Sequence, residues 1–173
     1  MGPEERFNQL HEEHFEAVRR YVWRRDPGLA DDILAETFLI AWRRLDDVPA
    51  DARPWLIGVA RNIRLNAHRS ARRQQAVAAR LTQIAPGDDG EPSREGDAVQ
   101  AALARLSSAD REVLLLSAWD DLDRAAIAAV LGCTKANVSL RLHRARKRFA
   151  AAMSAADPQP CSPLIPGGVS DVR

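Results

Sequence analysis

The spacing of apolar residues between residues 123 and 153 constrains the fold more than any other feature of this chain. Ile127, Val130 and Leu131 recur at intervals of three and four residues, which is the spacing of one face of an α-helix. Gly132 follows directly, and glycine often ends a helix because it adopts a positive φ without steric cost. The pattern predicts two helices joined by a tight turn.

The second of these helices combines an apolar face with a basic one, and Asp123 and Thr134 are suited to cap the two helices. Four apolar residues share a face because they recur at i, i+4, i+7 and i+11: Val138, Leu142, Ala145 and Phe149. The polar residues face outward or sideways: Lys135, Ser139, Arg141, His143, Arg144 and Lys147. Such a helix fits the major groove of DNA. The agreement of turn, caps and faces favours a helix-turn-helix over a solvated basic face on an ordinary helix.

Charge is unevenly distributed along the 173 residues, although the formal net charge is only +1. Basic residues cluster over 61–80 and again over 141–148, and an acid-rich segment lies between Asp88 and Asp97. Two basic surfaces on a nearly neutral chain indicate two contacts with a polyanion.

The two cysteines, Cys133 and Cys161, have neither CxxC nor Cys/His spacing, so we expect no zinc site and no disulfide framework. No metal or other cofactor is predicted. The N-terminus lacks a basic region followed by an apolar run, and no stretch of about 18 consecutive apolar residues occurs. We therefore expect no direct membrane insertion and a cytoplasmic location.

The helical periodicities and the breaks between them predict an all-α fold of two small helical domains joined by a flexible linker, with the helix-turn-helix in the second domain. The linker is rich in glycine, proline and acid, and the C-terminal tail is rich in proline. The predicted segments are a first domain over 1–82, the linker over 83–97, a second domain over 98–153 and a disordered tail over 154–173.

Three segments of this sequence resemble the extracytoplasmic-function (ECF) group of bacterial sigma factors. They are ADDILAETFLIAWRRLDD (residues 30–47), PWLIGVARNIRLNAHRSARR (54–73), and LSSADREVLLL (106–116) followed by the Arg141–Arg146 run. The resemblance covers most of residues 5–153. It implies a non-enzymatic subunit that binds core RNA polymerase and directs promoter recognition and transcription initiation, with core polymerase, promoter DNA and in some members an anti-sigma factor as partners.

The resemblance assigns polymerase binding to the first of these segments. Asp31, Asp32 and Glu36 lie on one side of a predicted helix whose other side is apolar. With Phe38 and Trp42 predicted to be exposed beside them, these acids form an expected docking surface for a basic partner.

The resemblance places recognition of the minus-10 promoter element in the second segment and the loop before it. The residues implied are Val48, Arg61, Asn62, Arg64, Arg69, Arg72 and Arg73. The arginines are expected to form a stripe facing phosphates, and Asn62 occupies the family position that reads an unstacked base, with the loop over 46–53 completing a pocket. Trp55 and Trp119 are predicted to pack in the core.

Recognition of the minus-35 element is expected from the second helix of the helix-turn-helix. The residues implied are Lys135, Asn137, Ser139, Leu140, Arg141, His143, Arg144 and Lys147. Two departures from the family pattern stand out. Ser139 and Leu140 replace a basic residue followed by serine, which leaves the promoter sequence open, and residues 120–123 are more acidic than the usual Gly-Leu-Ser.

Two other functions fit parts of the sequence. A dimeric helix-turn-helix regulator would bind half-sites about one helical turn apart, but no separate dimerisation helix is evident. A nuclease would need acids that converge on a metal, whereas Asp31, Asp32 and Glu36 lie along one helix. The histidines also lack ligand spacing: His11, His14, His68 and His143.

Overall fold

The computed structural model describes residues 2–82 and 96–156, which fold into two helical units. The first unit consists of α1 (Pro3–Trp23), α2 (Ala30–Arg43) and α3 (Ala52–Thr82). The second consists of α4 (Gly96–Ala104), α5 (Ser108–Ala118), α6 (Arg124–Leu131) and α7 (Lys135–Ala156). Short 3-10 turns at Pro27–Leu29 and Leu45–Asp47 flank α2. No strand occurs in these two ranges, and the predicted all-α class is confirmed.

The helix ends differ slightly from the predicted segment limits. Helix α4 begins at Gly96, inside the predicted linker, and α7 continues to Ala156, past the predicted start of the tail. The rest of the linker, over 83–95, and the tail over 157–173 lie outside the described residues. The flexibility of both segments and the independence of the two domains stay predictions.

Helices α6 and α7 form the predicted helix-turn-helix and are bent by 100° relative to each other. The Asp123 carboxylate accepts a hydrogen bond of 2.7 Å from the Ala126 amide, and the Thr134 hydroxyl accepts one of 3.2 Å from the Asn137 amide. Gly132 ends α6 with φ = +63°, a conformation that glycine adopts more easily than any other residue. The predicted caps and turn are therefore confirmed.

The core of the first unit lies between α1, α2 and α3. Its fully buried side chains include Val18, Tyr21, Val22, Leu56 and Ile57. Trp55 is partly buried against this core, as predicted. The regularly spaced apolar residues of the three helices lie on the faces that pack together, and the opposite faces are exposed to solvent.

The two units pack against each other along α3 and α6. A Cβ atom on Gly58 of α3 would lie 3.8 Å from the Val130 Cα of α6, so the two backbones approach closely. Buried residues of the second unit, including Leu116 and Ile127, join those of the first in one continuous core. A smaller cluster of Leu103, Leu106 and Leu115 holds α4 against its neighbours.

Candidate nucleic-acid and partner interfaces

The acidic face of α2 is exposed. Asp31, Asp32 and Glu36 all lie on the surface, while Ile33 and Leu34 are buried on the opposite side of the helix. Trp42, the last residue but one of α2, is 43% exposed, as predicted. The surface therefore combines carboxylates with an accessible aromatic ring, which is a common composition for a protein interface.

Leu39 belongs to the same region of α2, and its side chain is 46% exposed. Leu39 was not among the residues predicted for this surface, although an apolar residue on a polar helix face was the available signal. Leu39 and Trp42 are three residues apart and therefore lie near each other on the helix surface.

The prediction that Phe38 is exposed was wrong. Its side chain is only 6% exposed, and its ring centroid lies 4.6 Å from that of His11 and 6.0 Å from that of Phe15. The reason is helical spacing, because Phe38 follows Leu34 by four residues and so falls on the buried face. Phe38 packs beneath the acidic face of α2 instead of contributing to its exposed surface.

Asn62 is exposed on α3 and opens onto a cleft of about 470 Å³ between α2 and α3. Ile40, Val59 and Ile63 provide apolar walls to this cleft, and Glu36 of the acidic α2 face lines it as well. An amide that can donate and accept hydrogen bonds thus stands beside apolar walls, a combination that suits an unstacked base.

Val48 does not join Asn62 in this cleft. It is buried and lines a different cavity of about 350 Å³, together with Leu10, His14 and Pro49. The expectation that Val48 is accessible was wrong, because the 3-10 turn before it directs this apolar side chain inward under α1. The structure therefore separates two residues that were predicted to contact the same element.

The arginines of the predicted basic stripe on α3 fall into two groups: some are exposed to solvent, and the others form ion pairs with the second unit. Arg69, Arg72 and Arg73 are exposed. Arg61 and Arg64, one to two turns earlier, face the second unit instead of solvent. The continuous stripe expected from the sequence is therefore wrong for these two residues.

Arg61 and Arg64 form ion pairs with the carboxylate of Glu112 in α5. Its Oε2 accepts a hydrogen bond of 3.1 Å from Arg64 Nη2, and its Oε1 lies 3.8 Å from Arg61 Nε. The Tyr21 hydroxyl donates to Glu112 Oε1 at 3.0 Å, and Arg25 Nε lies 3.7 Å from Oε2. One carboxylate of the second unit is thus surrounded by three arginines and a tyrosine of the first.

The pKa values of two neighbours of Glu112, Tyr21 and Arg64, are both raised. Burial, and then the charge of Glu112, raises the pKa of Tyr21, so its hydroxyl remains a hydrogen-bond donor. Burial lowers the pKa of Arg64, but Tyr21, Glu112 and Asp26 outweigh it, so the pKa of Arg64 is raised and the guanidinium stays charged.

A second connection between the units centres on Asp120. Arg25 Nη2 donates to Asp120 Oδ2 at 2.7 Å, and both side chains are only 3% exposed. Arg53 donates to the backbone oxygen of Asp120, and Arg24 Nη1 donates to that of Trp119 at 2.7 Å. Trp119 is 39% exposed, so its predicted place in the core was wrong.

Neither the contacts of Glu112 nor those of Asp120 with the first unit were predicted. For Asp120, the available signal was the unusual acidity of residues 120–123, a departure from the family pattern. Buried acids are seldom found without partners, but a sequence does not show which cation is the partner.

The outer face of α7 is accessible, while Val138, Leu142 and Ala145 on the inner face are buried. Of the residues predicted to read the minus-35 element, Ser139 is half-buried and the others are exposed: Lys135, Asn137, Leu140, Arg141, His143, Arg144 and Lys147. Arg148 forms an ion pair with Asp110 of α5, which ties the end of the basic face of α7 to α5 within the second unit.

No single helix in residues 2–82 or 96–156 is long and apolar enough to cross a membrane, and only α6 and α7 taken together across their bend meet that test. Within the same ranges, no group of three or more His, Cys, Asp or Glu side chains is arranged to hold a metal ion.

Comparison with known families assigns both units. The family model described as sigma-70 region 2 matches residues 8–74, and the one described as sigma-70 region 4 matches residues 96–149. The ECF RNA polymerase sigma factor SigL of Mycobacterium tuberculosis is 34% identical over 146 residues, covering 79% of this chain and 82% of SigL. The chain belongs to the ECF sigma factors.

Other relatives of this sigma factor agree with the assignment. The RNA polymerase sigma factor NccH of Alcaligenes xylosoxydans xylosoxydans is 31% identical over 170 residues, covering 87% of this chain and 88% of NccH. The structure of CnrH in complex with the cytosolic domain of CnrY is 27% identical, with a TM-score of 0.60 over 86% of this chain and 88% of that one.

The sigma factor RpoE, in complex with the anti-sigma factor NepR from Bartonella quintana, shares the fold of this chain. The TM-score is 0.62 at 22% identity, and the match covers 86% of this chain and 96% of that one.

Membership of the family establishes the general activity. This ECF sigma factor associates with RNA polymerase and recognises promoters, and the family consists of transcription initiation factors. A stand-alone dimeric regulator is not favoured, because both units match sigma regions in the order in which a sigma factor carries them.

Proposed function

We propose that this sigma factor binds core RNA polymerase through the acidic face of α2 and, in the holoenzyme, uses α3 at the minus-10 element and α7 at the minus-35 element. The observation that supports the proposal most strongly is the two-sided structure of α7. Its apolar face packs into the core, and its other face presents basic side chains to solvent from a capped helix-turn-helix. This is the geometry of a helix that enters the major groove.

The α2 surface suits a basic partner. Asp31, Asp32 and Glu36 supply negative charge, while Leu39 and Trp42 supply apolar area that becomes buried on binding. Charge complementarity sets orientation and association rate, and a partly exposed tryptophan is a frequent source of binding energy.

Reversing charge on α2 tests this surface. The variant Asp32→Lys/Glu36→Lys should weaken core binding by about 1 to 3 kcal/mol, because two attractive contacts become repulsive. The matched control is Glu12→Lys/Glu16→Lys, which changes two exposed acids of the same spacing on α1. A titration of full-length variants against labelled core polymerase measures the effect, and equal affinities for the two variants would rule out the α2 surface.

At the minus-10 element, Asn62 is assigned to an unstacked base in the cleft between α2 and α3. Arg69, Arg72 and Arg73 are assigned to phosphates, because exposed guanidinium groups bind phosphate oxygens with good geometry. Arg61 and Arg64 reach DNA only after they leave Glu112, so full promoter binding requires the two units to separate.

A gel shift on promoter DNA, with and without core polymerase, tests whether promoter binding depends on the holoenzyme. The sigma factor alone should bind weakly, and the holoenzyme should bind strongly and with sequence preference. Tight specific binding by the sigma factor alone would contradict the proposal and would favour a conventional regulator.

The cellular setting follows from the partners. We place this sigma factor in the cytoplasm with RNA polymerase and DNA, and we assign it no catalytic activity. An anti-sigma protein is an additional proposed partner, supported by related sigma factors whose structures were solved as protein complexes. Co-purification of tagged sigma factor with a single stoichiometric protein that blocks core binding would identify it, and a sigma factor that purifies only with core polymerase would contradict its existence.

A further inference from the structure

Half of the residues that line the cleft between the two helical units are arginines. The cleft has a volume of about 510 Å³ and lies between α3 of the first unit and α5 to α7 of the second. Seven arginines line it, against the two carboxylates of Asp26 and Glu112. Asp120, which does not line the cleft, neutralises the charge of Arg25. The seven arginines therefore exceed the three carboxylates by a formal charge of four.

Several donors in this cleft lack acceptors. Arg69 and Arg72 on α3 and Arg141 on α7 are exposed, and none of them forms an ion pair with a side chain in 2–76 or 98–155. The buried Nε atoms of Arg25 and Arg61 have no hydrogen-bond partner, and the side chain of Arg25 is only 3% exposed. Cations that face one another across a narrow space repel unless an anion lies between them.

The volume of the cleft and its arginines together indicate what kind of ligand fits it. Guanidinium groups bind phosphate oxygens in paired hydrogen bonds, so several arginines around one space favour a ligand with several phosphates. Small-molecule pockets have volumes of about 300 to 1,000 Å³, whereas a DNA duplex does not enter a space of this size. We propose that the cleft binds a small polyphosphate, inorganic or carried by a nucleotide, which bridges Arg72 of α3 and Arg141 of α7.

Binding here would oppose promoter recognition. Arg61, Arg64, Arg69 and Arg72 are assigned to minus-10 DNA and Arg141 to minus-35 DNA, so an anion that holds them together keeps them from the promoter. This consequence rests on the proposed function, whereas the binding site itself does not.

Isothermal titration of the full chain with tripolyphosphate, at about 0.15 M salt and without divalent cations, tests the site. Arg72→Gln and Arg141→Gln should each weaken binding about tenfold, because each removes one charged hydrogen-bond donor from a different unit. The matched controls are Arg73→Gln and Arg144→Gln, which change exposed arginines of the same two helices outside the cleft. They should change binding by about twofold or less, because charges that do not touch the ligand are screened.

Equal losses in all four variants, or no saturable binding, would overturn the site. A nucleoside triphosphate that binds about tenfold more tightly than tripolyphosphate would identify a nucleotide ligand that also contacts Leu65 and Leu131. Equal affinities would identify an inorganic polyphosphate. A chain that directs transcription but does not bind tripolyphosphate contradicts the site alone, and one that binds it but does not support transcription with core polymerase contradicts the proposed function alone.

Discussion

At the scale of single residues, the pair of Arg25 and Asp120 holds the two units together most directly. Both side chains are almost completely removed from water, and the two charged groups are 2.7 Å apart. A buried ion pair adds little net stability compared with apolar residues, but loss of one partner leaves an uncompensated buried charge. Asp120 is therefore a sensitive point of the structure.

Asp120→Asn should lower the free energy of unfolding by about 3 kcal/mol, because buried Arg25 then loses its closest counter-charge and keeps only Glu112, at 3.7 Å, which two other arginines share. Urea unfolding of the full chain measures the change. Asp121→Asn is the matched control, since Asp121 is exposed and asparagine tolerates its positive φ of 50°. Equal stability of the two variants would show that Arg25 and Asp120 do not form a buried pair in solution.

Ionisation of Tyr21, the only tyrosine of the chain, should make the free energy of unfolding depend on pH in the alkaline range. Its pKa in the folded state is raised above the ordinary value of 10.0, so the folded state retains the proton longer than the unfolded state. Stability attributable to Tyr21 is therefore fully present below about pH 10 and falls above it, by up to about 1.4 kcal/mol per pH unit.

Urea unfolding between about pH 9 and pH 11 measures this slope, and tyrosinate absorbance reports the titration directly. Tyr21→Phe should remove the part of the slope that comes from this residue, at the cost of the hydrogen bond to Glu112. An unaltered slope in Tyr21→Phe, or tyrosinate formation in the folded protein near pH 10, would contradict the buried position of the ring.

At the scale of elements, we expect α7 to separate base reading from phosphate binding along its length. Arg141 and Arg144 are three residues apart and lie near the middle of the exposed face, whereas Lys147 comes one turn later. A helix that leaves the groove at that point meets the DNA backbone, so its last basic residues contact phosphates.

Arg144→Ala should cost about 1 to 3 kcal/mol at a matched minus-35 element and relax the preference there. Lys147→Ala should weaken all sequences alike and reduce the salt slope by about one unit. Holoenzyme binding to matched and scrambled minus-35 elements distinguishes the two effects. Equal losses on both elements for Arg144→Ala would show that Arg144 only anchors phosphate.

The accuracy of the sequence predictions also depends on the element concerned. Caps at Asp123 and Thr134 and the turn at Gly132 were predicted because each depends on neighbours within a few residues. Phe38 was misplaced although its four-residue spacing from Leu34 already put it on the apolar face of α2. Val48 was misplaced because its burial depends on helix α1, which the local pattern does not position. The acidic face of α2 and the basic face of α7 were predicted correctly as exposed, since polar helix faces are seldom buried.

At the scale of the whole molecule, the two units form a shared core with charged groups along its edge. Glu112 binds the same arginines that the proposed function assigns to DNA, so the arrangement withholds part of the minus-10 surface. This could not be predicted from sequence, because Arg61 and Glu112 are far apart in the chain and either could have faced solvent. If Arg61 and Arg64 contact DNA as proposed, separation of the units becomes a step in promoter binding.

Transcription from a library of templates with randomised upstream DNA tests the central claim most directly. With core polymerase and the full chain, the templates that yield transcripts should share a minus-35 and a minus-10 motif at a fixed spacing. The Asp32→Lys/Glu36→Lys variant should yield few transcripts, and core polymerase alone should enrich no motif. A chain that enriches no shared motif with core polymerase, or that selects the same DNA without it, would contradict the assignment of this protein as a promoter-recognition subunit.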